Sequence, residues 1–90
     1  MVETDEVGTL VLRCRDGDAA AAEELFARYA RQLVRMADRR LGRNLAARED
    51  GEDVVQSVFR TFFRRNAAGM LQIETSSQAW RLLVTITLRK

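Results

Sequence analysis

The chain has no histidine, no proline and a single cysteine, and lysine occurs once, as Lys90. Each absence removes a class of chemistry. With no imidazole and only the Cys14 thiol, the usual metal-ligand sets, the Cys-His and Ser-His-Asp nucleophile systems and any internal disulfide are excluded. A lone thiol suits a reducing compartment. No apolar run approaches the roughly 20 residues of a membrane span. The start, residues 1–6, is acidic where a secretory leader is basic and then apolar. The sequence therefore predicts a cytoplasmic protein with no membrane association, no cofactor and no metal. Ninety residues form one small domain that buries about 60–65% of the surface its unfolded chain exposes. That is too little for a deep enclosed active site.

What is present is charge, unevenly placed. Residues 1–27 hold seven acids against two arginines, and residues 28–90 hold thirteen bases against six acids, for a net charge of only +2. Fourteen of the fifteen basic residues are arginine, whose planar fork makes two-point contacts to carboxylate or phosphate where lysine offers a point charge. A polyanion partner on one part of the surface accounts for the asymmetry. A codon-driven bias toward arginine and alanine accounts for it equally.

With no proline or internal repeat, glycine is the main punctuation, and the chain reads as an all-α bundle of about four helices, the second longest. The first covers residues 7–15, with Leu10, Val11 and Cys14 at helical spacing, and stops at Asp16-Gly17-Asp18. Asp18 is placed to cap the second helix, residues 19–41, and Gly42 stands where a left-handed C-terminal residue is wanted. Ala22, Leu25, Tyr29, Leu33 and Met36 mark its core stripe. Arg28, Arg31, Arg35 and Arg39 form a ridge opposite, with Glu24 before Arg28 and Asp38 beside Arg31 and Arg35. Such a ridge reads as a solvated face. Residues 1–6 are expected to be flexible, and residues 43–49 to connect.

Residues 50–65 predict a third helix whose two faces separate cleanly at about 100° per residue. Val54, Val55, Val58, Phe59, Phe62 and Phe63 occupy one half, and Asp53, Gln56, Ser57, Arg60 and Arg64 the other. An acid, an amide, a hydroxyl and two guanidiniums opposite an aromatic face point to a partner-binding surface. The cluster Glu49, Asp50, Glu52 and Asp53 stands where the positive end of the helix dipole favours carboxylates. It lacks the ligand spacing of a calcium loop.

Residues 66–77 are the one long irregular stretch, an irregular loop before the last helix that includes Gly69. Thr75 and Gln78 match a capping box, so a fourth helix starts there. Trp80, Val84 and Leu88 lie on one side of it and Leu82, Leu83 and Ile86 on the other, which predicts a buried helix. Residues 84–87 are all β-branched and admit a strand; the capping box and the spacing favour helix. The chain reaches Arg89-Lys90 without a stop signal and reads as one domain of a longer protein.

The order of features carries a resemblance. Leu10-Val11-Leu12-Arg13, Gly17-Asp18-Ala19-Ala20 with Phe26 and Tyr29, Glu52-Asp53-Val54-Val55-Gln56 with Phe59, and Ala79-Trp80-Arg81-Leu82-Leu83 with Ile86 follow one another at set separations. In this order they resemble the N-terminal conserved domain, region 2, of bacterial RNA polymerase sigma factors, most nearly the extracytoplasmic-function group, over about residues 8–90. The resemblance implies a helical domain that docks on the clamp helices of the largest polymerase subunit and recognises and melts promoter DNA at the minus-ten element. It implies polymerase contacts from Asp53, Gln56, Ser57, Arg60 and Arg64. The family often has an acid directly after that glutamine; Ser57 removes one such charge contact. It further implies that the loop takes an unstacked base of the non-template strand. Asn66, Gln72, Thr75, Ser76, Ser77 and Gln78 supply short donors and acceptors for that purpose, and Arg81, Thr85, Arg89 and Lys90 lie toward the duplex edge and backbone. Trp80 is expected to be a core anchor. An anti-sigma protein is among the partners open to such a domain, and a C-terminal promoter-reading domain would follow it.

Two other classes compete with this non-enzymatic initiation module. A helical protein-interaction or regulatory domain that does not touch DNA fits the modest total charge. A small hydrolase would have to work with Asp50, Glu52 and Asp53 alone, and acids at a helix start are biased toward ionisation rather than toward holding a proton.

Overall fold

A computed structural model describes residues 5–41 and 51–89, and within them four helices and no strand are found: α1 Glu6–Arg15, α2 Ala19–Leu41, α3 Gly51–Ala67 and α4 Ser76–Arg89. Gly42, the connector 43–49, Asp50 and Lys90 lie outside the described residues.

Two glycines at positive φ end helices in the same way. Gly17, at φ 96°, follows α1, where Asp18 N donates to Arg13 O and Gly17 N to Cys14 O. Gly69, at φ 73°, follows α3, where Met70 N donates to Arg65 O and Gly69 N to Asn66 O. Both pairs are Schellman closures, which satisfy carbonyls the last helical turn leaves open and need a residue that tolerates positive φ. The helix starts are capped as well. Asp18 accepts from the amides of Ala20 and Ala21 at 3.0 and 3.3 Å. At α4 the capping box is reciprocal: Gln78 N donates to Thr75 Oγ1 at 3.3 Å, and Gln78 Oε1 accepts from Thr75 N at 3.2 Å and Glu74 N at 2.7 Å.

α2 and α3 run antiparallel. The start of α3 lies against Val34 and Asp38 late in α2, while Phe59 meets Phe26 early in α2 at a ring separation of 4.9 Å. Gly51 makes the first of these approaches possible, because a Cβ there would stand 2.8 Å from the Val34 carbonyl oxygen. Asp38 accepts a hydrogen bond from Gly51 N at 2.9 Å, so it serves the next helix rather than Arg31 and Arg35. Val55, Val58, Phe59 and Phe62 of α3 pack with Leu25 and Leu33 of α2, Val7, Leu10 and Val11 of α1, and Leu83 and Ile86 of α4. Phe59 is the hub of the aromatic set, touching Phe26, Phe62 and Phe63.

Several expectations shift. The α2 stripe rotates slightly: Ala21 and Ala37 are buried, while Ala22, Tyr29 and Met36 are half-buried. Phe63 is half-buried too. α4 is not apolar all round, because Leu88 is exposed and Trp80 and Val84 are only partly covered, leaving Ala79, Leu83, Ile86 and Thr87 as its buried face. The β-branched run stays helical, with the Thr85 and Thr87 hydroxyls donating to the carbonyls of Arg81 and Leu83 one turn back. Asp5 and Glu6, expected in a flexible start, are held. Asp5 Oδ1 accepts from Gly8 N at 3.0 Å and Oδ2 from Ser76 N at 2.7 Å, so one carboxylate caps both α1 and α4. Glu6 pairs with Arg28 of α2.

Candidate functional site

The irregular segment is shorter than the sequence suggests. α3 runs on to Ala67 and α4 begins at Ser76, so Asn66 belongs to the last turn of α3 and Ser76, Ser77 and Gln78 to the first turn of α4. Asn66 is the clearest correction. It is 1% exposed, and its side-chain amide donates to Val11 O at 3.0 Å. A buried amide is held where its hydrogen bonds are met, and this one fastens α3 to α1 instead of facing a base. Gln78 is exposed, yet its carbonyl oxygen is engaged by the cap.

The polar face of α3 is real: Asp53, Gln56, Arg60 and Arg64 are exposed and Ser57 is half-buried. It is not one surface. Glu52 and Gln56 stand on the rim of a groove of about 580 Å³ between α2 and α3, whose floor is Phe26, Ala30, Val34 and Val55 and whose far side carries Arg31 and Arg35. Arg64 lies in a different groove, of about 250 Å³, between α3 and α4, with Thr61 and Arg65 on one wall and Leu82, Thr85, Ile86 and Arg89 on the other. Arg60 lines neither.

The residues assigned to nucleic acid also separate. Ser76 and Ser77 line a cleft of about 550 Å³ between α4 and α2, shared with Tyr29, Gln32, Arg35, Met36, Arg39 and Trp80. The Tyr29 and Trp80 rings stand 5.9 Å apart in it, at 32° to each other. Burial raises the Tyr29 phenol above its ordinary range, so the ring stays neutral. Trp80 is thus half in the core and half in the cleft wall. Gln72 sits instead in a groove against α1, with Leu12, Arg15 and Leu71. Thr85 is half-buried with its hydroxyl donating to Arg81 O, and Arg81 and Arg89 are exposed.

The model of the ECF sigma factor family matches residues 4–90. The chain belongs to the ECF sigma factor family. Its members are transcription initiation factors that act with core RNA polymerase and promoter DNA; they are regulatory proteins and not enzymes. No curated protein and no solved structure matches the chain. Burial pushes the half-buried Cys14 thiol of this sigma factor above its ordinary range, which disfavours the thiolate. No helix among the described residues is long and apolar enough to cross a membrane, and no acid or thiol group among them is arranged to hold a metal ion. Phe26, Arg31 and Arg35 border the groove beside Gln56, and Arg65 the groove beside Arg64; the sequence assigned none of the four to a partner, and the ridge carrying Arg31 and Arg35 read as a solvated face. The apolar row Phe26, Ala30 and Val34, at four-residue steps along α2, was a signal that could have marked the first groove.

Proposed function

We propose that this sigma factor domain docks on the clamp helices of the polymerase through the groove between α2 and α3, and that it receives an unstacked minus-ten base in the cleft between α2 and the start of α4. The observation that carries the docking reading is the position of Gln56. It is exposed on the rim of an apolar groove, next to Glu52 and the exposed Asp53. An apolar floor with a polar rim suits the seam of a partner helix, where a central contact dominates the affinity and the rim fixes its register. The partly exposed Phe26 offers an aromatic anchor there.

The base-receiving reading rests on chemistry of another kind. Aromatic faces from Tyr29 and Trp80 lie beside the Ser76 and Ser77 hydroxyls and the guanidiniums of Arg35 and Arg39. A base taken out of its stack regains packing against rings and hydrogen bonds at its edge, while arginines meet the flanking phosphates. Capture of such a base favours the open strand and so promotes melting.

Binding of Gln56→Ala and Asp53→Arg proteins to a clamp-helix fragment of the largest subunit tests the docking face. Each is expected to weaken binding about tenfold or more, or 1.4 kcal/mol, with helical content unchanged. Wild-type affinity in both variants would remove this face from the proposal.

A further inference from the structure

Asp5 joins two helix starts that lie far apart in the chain. Its Oδ1 accepts from Gly8 N at 3.0 Å, the ordinary bond of an N-cap, which accounts for an aspartate before α1. Its second oxygen and its backbone make bonds that a cap does not need. Oδ2 accepts from Ser76 N at 2.7 Å, and Asp5 N donates to Glu74 O at 2.9 Å. The other bonds that fix the start of α4 come from within it: Gln78 Oε1 accepts from Glu74 N and Thr75 N, and Gln78 N donates to Thr75 Oγ1. Among the described residues, Asp5 is the one hydrogen-bonding partner that ties this turn to the rest of the fold. Its neighbour reaches the opposite wall of the cleft between α2 and α4. Glu6 pairs with Arg28, next in the chain to Tyr29, and Tyr29 lines that cleft with Ser76 and Ser77. Burial is the main reason the Tyr29 phenol is raised; the charges of Arg28 and Asp5 act on it in opposite senses, so Asp5 stands within electrostatic reach of the ring. An exposed ion pair such as Glu6 with Arg28 holds little by itself. The bonds of Asp5 are the stronger tie.

We infer that Asp5 is a positioning residue for base capture: by holding the backbone at Ser76 it fixes where the Ser76 and Ser77 hydroxyls stand in the cleft. The inference rests on the base-receiving reading above. A hydroxyl discriminates between base edges only while it is kept at hydrogen-bonding distance and angle. Ser76 and Ser77 are the first two residues of α4, whose amides have no earlier turn to bond to. The Asp5 carboxylate supplies that support from the start of α1 through a charge-assisted bond. Without it α4 keeps its own box of Thr75 and Gln78 and still forms, but its first turn is free to shift against α2. Asp5 touches no base. Its loss therefore alters the choice among bases rather than the grip on the phosphates.

The test uses the chain in complex with core RNA polymerase, with the polymerase alone as blank. The probes are short abasic single strands that carry one central adenine, cytosine, guanine or thymine, or none, read by fluorescence anisotropy. The readout is the preference, the affinity for the best base divided by that for the strand with none, in which any effect of the Asp5 charge on phosphates cancels. Asp5→Ser keeps an oxygen for Gly8 N and loses the one for Ser76 N. It is expected to lose about threefold or more of the preference, the scale of one displaced hydrogen bond. Ser76→Ala/Ser77→Ala, which removes the hydroxyls themselves, is expected to lose at least as much. Asp18→Ala weakens a cap elsewhere, at the start of α2, and is expected to lower the urea midpoint and keep the preference. Where Asp5→Ser loses helical signal, Asp5→Asn serves, since it keeps the shape of the side chain and offers Gly8 N and Ser76 N one acceptor between them. Equal loss of preference in Asp18→Ala shows that any weakened cap suffices and overturns the positioning role. A preference kept in Asp5→Ser and lost in the serine double variant overturns the inference alone. A preference kept in both, or absent from the wild-type complex, overturns the inference and the base-receiving reading together.

Discussion

The two ends of α3 differ in how they are held as well as in what they show. At its start, Gly51 lets the backbone approach α2 and Asp38 supplies a cap from across the interface. Outward from there stand Glu52, Asp53 and Gln56, acid and amide. At its finish, the Schellman closure at Gly69 and the buried Asn66 tie the helix to α1, and outward stand Arg64 and Arg65. A single amphipathic helix thus carries an acidic end and a basic end. The helix dipole favours this polarity of charge, carboxylates first and guanidiniums last. Separation of charge along one helix therefore adds to helix stability instead of opposing it.

The largest break in this comparison comes at the finish. Asn66→Asp replaces the amide donor with a carboxylate facing the Val11 carbonyl oxygen, and leaves a buried charge without a partner. Urea unfolding at neutral pH is expected to show a loss above about 3 kcal/mol. Part of it returns in acid, where the protonated carboxyl can donate again.

A smaller break is expected at the start. Gly51→Ala places a methyl group against the Val34 carbonyl oxygen and the Asp38 carboxylate. The side chain can move but the backbone must give, so α2 and α3 separate slightly at a cost of about 1–3 kcal/mol. The groove beside Gln56 should widen with them, so clamp-fragment binding is expected to fall while DNA binding does not. A parallel loss of both would mean that the docking groove and the base-receiving cleft are not independent.

The smallest effect concerns the caps that set the frame around α3. Hydrogen bonds from Ser76 N and then Gly8 N hold the Asp5 carboxyl below its ordinary range, and the Arg13 side chain, followed by the Ala21 amide, does the same for Asp18. A carboxyl with a depressed folded-state pKa contributes stability above the aspartate range of the unfolded chain, and loses it as pH falls through the folded value. The double variant Asp5→Asn/Asp18→Asn is therefore expected to be less stable at neutral pH and to lose less on acidification, measured as urea midpoints from neutral to strongly acid pH. Identical pH profiles for variant and wild type would remove these caps from the acid response.

Helix positions and caps were legible in the sequence because their determinants are local. Asp18 before an alanine run, Thr75 with Gln78, and alternating faces at 3.6-residue spacing each act within one or two turns. The polar face of α3 was legible for the same reason. Asn66 was not, since an asparagine before a glycine turn looks the same whether it faces solvent or a carbonyl 55 residues away. Asp38 looked like a partner for its own ridge, and its actual partner, Gly51 N, belongs to another helix.

The sequence by itself determined four helices, the caps at Asp18 and at Thr75 with Gln78, and which side of α3 is polar, because hydrogen-bonding and burial patterns repeat over a few residues. Only the tertiary structure decided that this polar side borders two grooves. It also decided that Ser76 and Ser77 share a cleft with the arginines of α2 while Gln72 does not, and that Asp5 joins the starts of α1 and α4. Grooves are made by pairs of helices, and the packing that pairs them depends on contacts between residues far apart in the chain.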